Sequence, residues 1–272
     1  MKFIIAILEF FDLQMPTPQL FGWFHLLCLA LTVVATVLLC RFYGKAEEKV
    51  VRRIVFITAV IVTLFEIYKQ INYTFTVDGN TVISSYQWYA FPFQFCSTPM
   101  YVGLLTGIFK KGKIHDALCA YLSTFAVFAG ASVMIYATDI FIGTIGINIQ
   151  TVVCHGSMLV IGIYLLYSGY VKLEHKTILK ALPVFAAAVL IACVMNEIAF
   201  STGLTNDHYF NMFYVSPHCD PHLPVYSLVQ PLVPYPINLI IYIAGFTLAA
   251  YIILLLCMLV KNVYTRIKTK AQ

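Results

Sequence analysis

The apolar parts of this sequence contain a cysteine and a histidine, two residue types that are used in covalent catalysis. Cys96 supplies a thiol, and His155 supplies an imidazole in a later apolar segment. The thiolate is the reactive form of cysteine, and a neighbouring histidine takes its proton and passes it to a leaving group. However, the chain has eight cysteines, and a cysteine in an apolar segment usually packs as a small hydrophobe. Spacing alone therefore does not select Cys96.

The composition predicts that these residues lie in a membrane. Hydrophobic residues make up 61% of the 272 residues, charged residues make up 11%, and the mean hydropathy is +0.85. Soluble domains carry about 25% charged residues, so a soluble enzyme is excluded. A helix that crosses a bilayer needs roughly 20 apolar residues. Seven segments meet this length: 20–42, 54–73, 88–109, 114–137, 147–171, 178–200 and 236–260.

The predicted fold is all-α, a polytopic bundle of seven transmembrane helices that forms one integral membrane domain over residues 1–272. Of the 17 Lys and Arg residues, all but Lys2 and Lys69 fall in four polar stretches between or after the predicted spans, at 41–53, 110–113, 172–180 and 261–270. Short loops rich in Lys and Arg mark the cytoplasmic side. The N-terminus is therefore predicted to lie outside and the C-terminus inside.

The outer side of this topology holds the segments around Asp78 and Asp139 and the long loop 201–235, which contain no Lys or Arg. The apolar start of the chain, residues 3–13, is too short to span a bilayer and lacks the cleavage site of a signal peptide. We therefore expect it to form a short interfacial helix.

Further polar residues within the apolar segments are predicted to share a site with Cys96 and His155: Gln94, Glu66, Lys69, His25, Asn196 and Glu197. Depth is counted from the basic ends of the spans at about 1.5 Å per residue. By this count the polar residues share one layer, roughly 20 to 25 Å above the cytoplasmic boundary. Ionisable residues in spans are costly and usually face the bundle interior. Glu66 and Lys69 are three residues apart and are expected to pair. A common depth predicts one polar cavity in the outer half of the membrane.

Two short motifs resemble a known family. The segment Phe91-Pro92-Phe93-Gln94-Phe95-Cys96-Ser97 resembles the Pro-x-x-x-Cys signature of the YwaF-like bacterial membrane proteins, which belong with the transmembrane protein 164 acyltransferases. The outer segment Asn211-Met212-Phe213-Tyr214-Val215-Ser216-Pro217, followed by Leu223-Pro224-Val225 and Val233-Pro234-Tyr235, also resembles that family. Many bacterial members carry His two residues before the Cys, where this chain has Gln94.

The resemblance implies an acyltransferase that moves a fatty acyl chain between a phospholipid and a lyso-lipid through a thioester. It assigns the catalytic roles to Cys96 and His155. Gln94 would then be a candidate hydrogen-bond donor to a developing oxyanion. Phospholipid ester carbonyls lie near the edge of the hydrocarbon layer, within reach of a site in its outer half. The implied substrates are membrane lipids, and the implied location is the cell membrane, in a bacterium the plasma membrane.

Two other functions fit a polar cavity in a helical bundle. A proton-coupled carrier would use Glu66, Lys69, His155 and Glu197, although the chain shows no internal repeat of the kind that transporters contain. A seven-helix receptor would share the topology, but the seventh span has no Lys for a retinal Schiff base.

No cofactor, metal or nucleic acid is predicted. The outer loop contains His218-Cys219-Asp220-Pro221-His222, with Asp207 and His208 nearby, but this spacing matches no structural zinc pattern. A lid over the outer mouth of the cavity is the preferred interpretation, because long loops in compact proteins are often functional. The net charge of +5 reflects the basic cytoplasmic loops and favours contact with anionic lipid headgroups.

Overall fold

The structure, a computed structural model, describes residues 2–137, 140–220, 223 and 226–270. This described part of the chain is an α-helical bundle with one short β-hairpin. The helices are α1 Lys2–Phe11, α2 Trp23–Tyr43, α3 Glu48–Asn72, α4 Thr98–Ile108, α5 Lys113–Leu122, α6 Phe125–Ile135, α7 Ile145–Tyr167, α8 Lys176–Ser201, α9 Leu204–Asp207, α10 Tyr226–Val229 and α11 Tyr235–Lys270. Strands β1 Phe75–Asp78 and β2 Thr81–Ser84 form the antiparallel hairpin.

Within the described residues, five helical segments are long and apolar enough to cross a membrane. They are Trp23–Tyr43, Lys113–Ile135, Ile145–Tyr167, Lys176–Ser201 and Tyr235–Thr269. The predicted spans 54–73 and 88–109 are not among them. Helix α3 covers the first of these two as a continuous helix of 25 residues that contains Glu66 and Lys69. The chain is thus a multi-pass membrane protein with at least these five apolar helical segments.

The predicted span 88–109 is wrong as a single helix. Its first part is a 3₁₀ turn at Trp88–Ala90, an irregular segment follows, and α4 has only 11 residues. Pro92 explains the break, because a proline disfavours helical geometry at the residue before it and has no N–H to donate. Phe91 accordingly has an extended backbone, with ψ 135°. Pro99 is tolerated, since it lies in the first turn of α4.

The predicted span 114–137 is divided into α5 and α6 by a break at Ser123 and Thr124. Both hydroxyls bond backward, Ser123 Oγ to the carbonyl of Cys119 at 2.9 Å and Thr124 Oγ1 to that of Ala120 at 2.7 Å. Such bonds compete with helix continuation and bend membrane helices. Helix α7 packs against the break through Gly162, since small residues let membrane helices approach closely.

Replacing Gly162 with alanine is expected to destabilise the bundle. The added Cβ would lie 2.5 Å from the carbonyl oxygen of Leu122 and would also collide with Val127, and overpacking of this kind costs about 1–3 kcal/mol. Thermal unfolding in detergent measures the effect. Gly245→Ala is the matched control, because nothing lies within 4 Å of its added Cβ. Equal melting temperatures for the two variants would show that the close contact at Gly162 does not limit the stability of the bundle.

The N-terminal segment forms the helix expected from the sequence. Helix α1 is fastened to α3 because the carbonyl of Phe11 accepts bonds from Tyr68 Oη at 2.6 Å and Asn72 Nδ2 at 3.2 Å. After the helix, Met15 N–H bonds the carbonyl of Gly143 at 2.7 Å. The start of the chain thereby connects α3 to the loop before α7.

Part of the predicted outer lid is instead embedded in the bundle. Phe210, Met212, Phe213 and Val215 are all buried, and the ring of Phe213 lies against an aromatic cluster formed by Phe93, Phe95 and Phe185. We call residues 209–216 the outer plug. Of the remaining loop, Pro221, His222, Pro224 and Val225 lie outside the described residues, as do Thr138 and Asp139 of the preceding outer segment.

Candidate active site

Cys96 lies in the irregular segment immediately before α4. The chain turns there through a bond from Ser97 N–H to the carbonyl of Gln94 at 2.9 Å, and α4 begins at Thr98. Tyr101, one turn into α4, bonds back to the carbonyl of Pro92 at 2.8 Å. The half-buried thiol therefore stands at the N-terminal end of a helix, where the partial positive charge of the helix favours an anion.

Helix α7 meets the Cys96 segment through Cys154. Its Sγ lies 3.6 Å from the carbonyl oxygen of Cys96, so Cys154 contacts the backbone of the predicted nucleophile. The next residue, His155, is 8% exposed. Among the described residues, no hydrogen bond joins the Cys96 and His155 side chains. The structure thus places the two on adjoining segments without linking them directly.

The imidazole of His155 is held in one tautomer. Its Nδ1 lies 2.7 Å from the carbonyl of Thr151, and a carbonyl only accepts, so Nδ1 carries the proton. Nε2 is then unprotonated and makes no hydrogen bond to any residue in the described part of the chain. An imidazole in this state has a free lone pair and can act as a base.

The predicted pair of Glu66 and Lys69 is confirmed. Lys69 Nζ lies 2.8 Å from Glu66 Oε1, and Glu66 is 5% exposed. A buried ion pair is tolerated when further hydrogen bonds satisfy it, and here Gln70 Nε2 donates to Oε1 at 2.7 Å and Gln150 Nε2 to Oε2 at 3.3 Å. The network around this ion pair thus joins α3 to α7, the helix that carries His155.

Sequence reasoning missed Gln70 and Gln150 as part of this network. Gln70 lies one turn after Glu66 on α3 and also accepts a bond from Tyr86 Oη at 2.6 Å. Gln150 lies one turn before Cys154 on α7. A glutamine four residues from a buried carboxylate or thiol on the same helix was the available signal, because i,i+4 residues share a face.

Gln94 and Asn196, which the sequence assigns to the cavity, both hydrogen-bond the backbone of the outer plug. Gln94 donates to the carbonyl of Asn211 at 3.0 Å and accepts from Phe213 N–H at 2.9 Å. Asn196 donates to the carbonyl of Met212 at 3.0 Å and accepts from its N–H at 2.7 Å. The two amides together satisfy backbone N–H and C=O groups of the outer plug. Gln94 therefore holds the plug against the segment that carries Cys96.

The structure does not bring His25 or Glu197 to this site. His25 is 1% exposed, accepts a bond from Phe21 N–H at 3.0 Å and lies 2.8 Å from the carbonyl of Met134. The side chain of Glu197 is 62% exposed and lies 2.9 Å from His218 Nε2. Depth along a helix does not determine which way a side chain faces, and these two face other neighbours.

A groove on the surface of the bundle reaches Glu66. It lies between α3 and the segment that carries Cys96, and its walls are largely apolar. The residues that line it are Thr63, Glu66, Ile67, Gln70, Ile71, Thr74, Phe75, Pro92, Met100 and Tyr101.

Comparison with known proteins agrees with the motif resemblance. No curated protein and no solved structure matches the chain. The model of the TMEM164 family matches residues 20–260, a range that includes Cys96, His155 and the outer plug. The match covers most of the sequence, and the chain belongs to the TMEM164 family.

Proposed function

We propose that the protein is a membrane-embedded acyltransferase that moves a fatty acyl chain from a phospholipid to a lyso-lipid, with Cys96 as nucleophile and His155 as base. The observation that carries the proposal is the free Nε2 of His155, one residue from Cys154, which contacts the Cys96 segment. Family membership supports the choice of Cys96 among the eight cysteines.

In the first half-reaction, His155 Nε2 takes the proton of the Cys96 thiol. The sulfur attacks the ester carbonyl of the donor phospholipid, a C–S bond forms, and the C–O bond of the ester breaks. The leaving lyso-lipid oxygen receives the proton from His155, so the enzyme holds an acyl thioester with His155 neutral again.

In the second half-reaction, the hydroxyl of an acceptor lyso-lipid replaces the departed product. His155 removes its proton, the oxygen attacks the thioester carbonyl, and the C–S bond breaks. Sulfur then recovers the proton from His155. The thiol and imidazole need to approach within hydrogen-bond distance during these steps, and catalytic contacts commonly tighten only when substrate is bound.

The irregular backbone around Cys96 supports a site at this place. Within a membrane, non-helical backbone is tolerated only where protein or a polar cavity satisfies it. Here Tyr101 and Cys154 bond to carbonyls of the segment. The groove beside α3 gives a lipid a lateral route toward Glu66. Phe95, the residue before Cys96, packs against Phe128, Phe185 and Phe246, and restricting the access of water to an acyl enzyme favours transfer over hydrolysis.

The experiment that tests this function is the capture of the acyl enzyme. Purified protein incubated with a phospholipid and no acceptor should show one acyl chain added to the peptide that contains Cys96. Hydroxylamine, which cleaves thioesters, should remove the added mass. A stable adduct on another residue, or none on Cys96 under conditions in which acyl chains are transferred, would reject the thioester mechanism.

The proposed topology keeps the seven passes expected from the sequence. Helices α2, α3, α7, α8 and α11 each cross once, α5 and α6 cross together, and α4 with the irregular segment before it makes the third pass. Helix α4 alone covers only roughly 16 Å, so residues 88–97 complete that crossing. The basic stretches then all face the cytoplasm. The proposed location is the cell membrane, in a bacterium the plasma membrane.

Reporter fusions test this topology. A fluorescent protein that folds only in the cytoplasm should fluoresce when fused after Lys270. It should stay dark when inserted at Gly79, at the tip of the hairpin β1–β2, whereas a phosphatase that is active only outside should give the opposite pattern. Fluorescence at both positions would contradict an odd number of crossings between the two sites.

A further inference from the structure

A second groove lies between α8 and α11, and it shares no lining residue with the groove beside α3. Its volume is about 680 Å³, within the range of roughly 300–1,000 Å³ that is typical of ligand sites. Its walls include Ile178 and Leu182 on α8 and Ile243, Ala244 and Leu248 on α11, and none of its lining residues is acidic. Both helices are long and apolar enough to cross a membrane. The groove therefore opens toward lipid chains.

The groove lies at the basic end of α8. The α8 residues that line it fall within the first two turns of the helix. At this end His175 Nδ1 lies 2.7 Å from Tyr251 Oη, a bond that joins the start of α8 to α11. Farther along α8, Pro183 has no N–H to donate to the carbonyl of Leu179, which lines the groove, and a proline inside a helix bends it. Regular close packing of α8 against α11 is therefore disfavoured at this level.

Two lysines beside the groove carry positive charge that no acidic side chain offsets. The stretch 172–180 contains three lysines and a single acidic residue, Glu174. Glu174 Oε1 lies 3.5 Å from Lys180 Nζ. The other two lysines, Lys172 and Lys176, are exposed and form no ion pair with any residue that the structure describes. They are therefore available to attract an anion next to the apolar groove.

We infer that the groove between α8 and α11 binds one phospholipid of net negative charge, with an acyl chain along the groove and the phosphate beside Lys172 and Lys176. A lipid chain is the occupant because an apolar groove between membrane helices faces hydrocarbon. The headgroup is anionic because lysines at a membrane surface attract negatively charged lipids. A zwitterionic lipid would offer the same chain but gain less from the lysines. This site goes beyond acyl transfer and requires only that the stretch 172–180 lies at a membrane boundary.

The two helices that form the groove also hold the outer plug. Asn196 on α8 donates to the carbonyl of Met212, and Tyr242 on α11 donates to that of Phe213. A lipid that contacts both helices binds the folded bundle and not the separated helices, so it should stabilise the fold. We therefore expect the anionic lipid to raise the melting temperature of the protein in detergent more than a zwitterionic lipid does.

Native mass spectrometry of the full chain in detergent tests the role of the lysines. The probes are phosphatidylglycerol and phosphatidylcholine with identical acyl chains, and the unaltered protein should retain phosphatidylglycerol preferentially. The double variant Lys172→Gln, Lys176→Gln should lower this preference by roughly 10- to 30-fold, since each lysine near an anionic headgroup contributes about fivefold. The control is Lys45→Gln, Lys49→Gln, which removes the same charge from the region where α2 connects to α3. It should keep the preference.

The variant Ala244→Phe tests the groove itself, because it fills the apolar space and leaves the lysines in place. It should lose the retained lipid and the increase in melting temperature caused by phosphatidylglycerol. Leu256→Phe is its control, since Leu256 is 52% exposed on the same helix but does not line the groove.

Three outcomes would overturn the inference. The first is equal retention of the two lipids by the unaltered protein, and the second is an unchanged preference in the lysine variant. The third is full retention by Ala244→Phe, which would mean that the lysines attract lipid to the surface without a groove site. The lysine variant changes exposed side chains only, so its result decides the matter even if Ala244→Phe fails to fold.

Discussion

The variant Cys96→Ala is expected to lose acyl transfer by roughly 10³-fold or more, because loss of a nucleophile removes the covalent route altogether. The measurement is transfer of a labelled acyl chain from phospholipid to lyso-lipid by purified protein in lipid nanodiscs. The hydroxylamine-sensitive mass on the Cys96 peptide should disappear as well. Folding should be preserved, since Cys96 is only partly buried and alanine is smaller.

Two cysteine variants serve as controls for this result. Cys154→Ala tests the rival nucleophile, because its Sγ is the thiol that contacts the Cys96 segment. It should still form the acyl enzyme. Cys28→Ala changes a buried cysteine on α2 and should leave transfer unchanged. If transfer survives in Cys96→Ala but is lost in Cys154→Ala, the nucleophile is Cys154 on α7.

The variant His155→Gln is expected to reduce transfer by about 10²- to 10⁴-fold, the usual contribution of general acid–base catalysis. Glutamine retains a group that can bond Thr151 but has no basic nitrogen. Without an internal base, the thiol must ionise by itself. Activity of the variant should therefore rise as pH increases toward and beyond about 8.5, the ordinary pKa of a thiol. A profile of transfer rate against pH measures this directly.

The control for this prediction is His175→Gln. His175 lies at the start of α8, where its Nδ1 is 2.7 Å from Tyr251 Oη. This histidine should be dispensable for transfer, and its variant should keep the pH profile of the unaltered protein. An active His155→Gln protein with an unchanged pH profile would mean that another group removes the thiol proton.

The sequence was sufficient for several particular features. Length and hydropathy predicted the helices that became α2, α7, α8 and α11, because a long apolar segment satisfies its backbone in a bilayer only as a helix. The three-residue spacing of Glu66 and Lys69 predicted their ion pair, which depends on local helix geometry alone. The Pro-x-x-x-Cys motif led to the correct family.

Depth along the helices was a weaker guide. It included Glu66 and Lys69, which form an ion pair, but also His25 and Glu197, which have separate partners in the structure. Depth gives no information about the rotation of each helix about its own axis. The direction of a side chain depends on how a helix is rotated against its neighbours, and that depends on packing across the whole bundle.

The sequence by itself determined that this is a helical membrane protein with a Cys and a His in its apolar segments, because composition, periodicity and short motifs are properties of neighbouring residues. Only the tertiary structure decided what surrounds Cys96. It brought Cys154 against the segment that carries Cys96 and inserted the outer plug beside that segment. These contacts join residues more than 50 positions apart in sequence, and long-range packing determines which of them form.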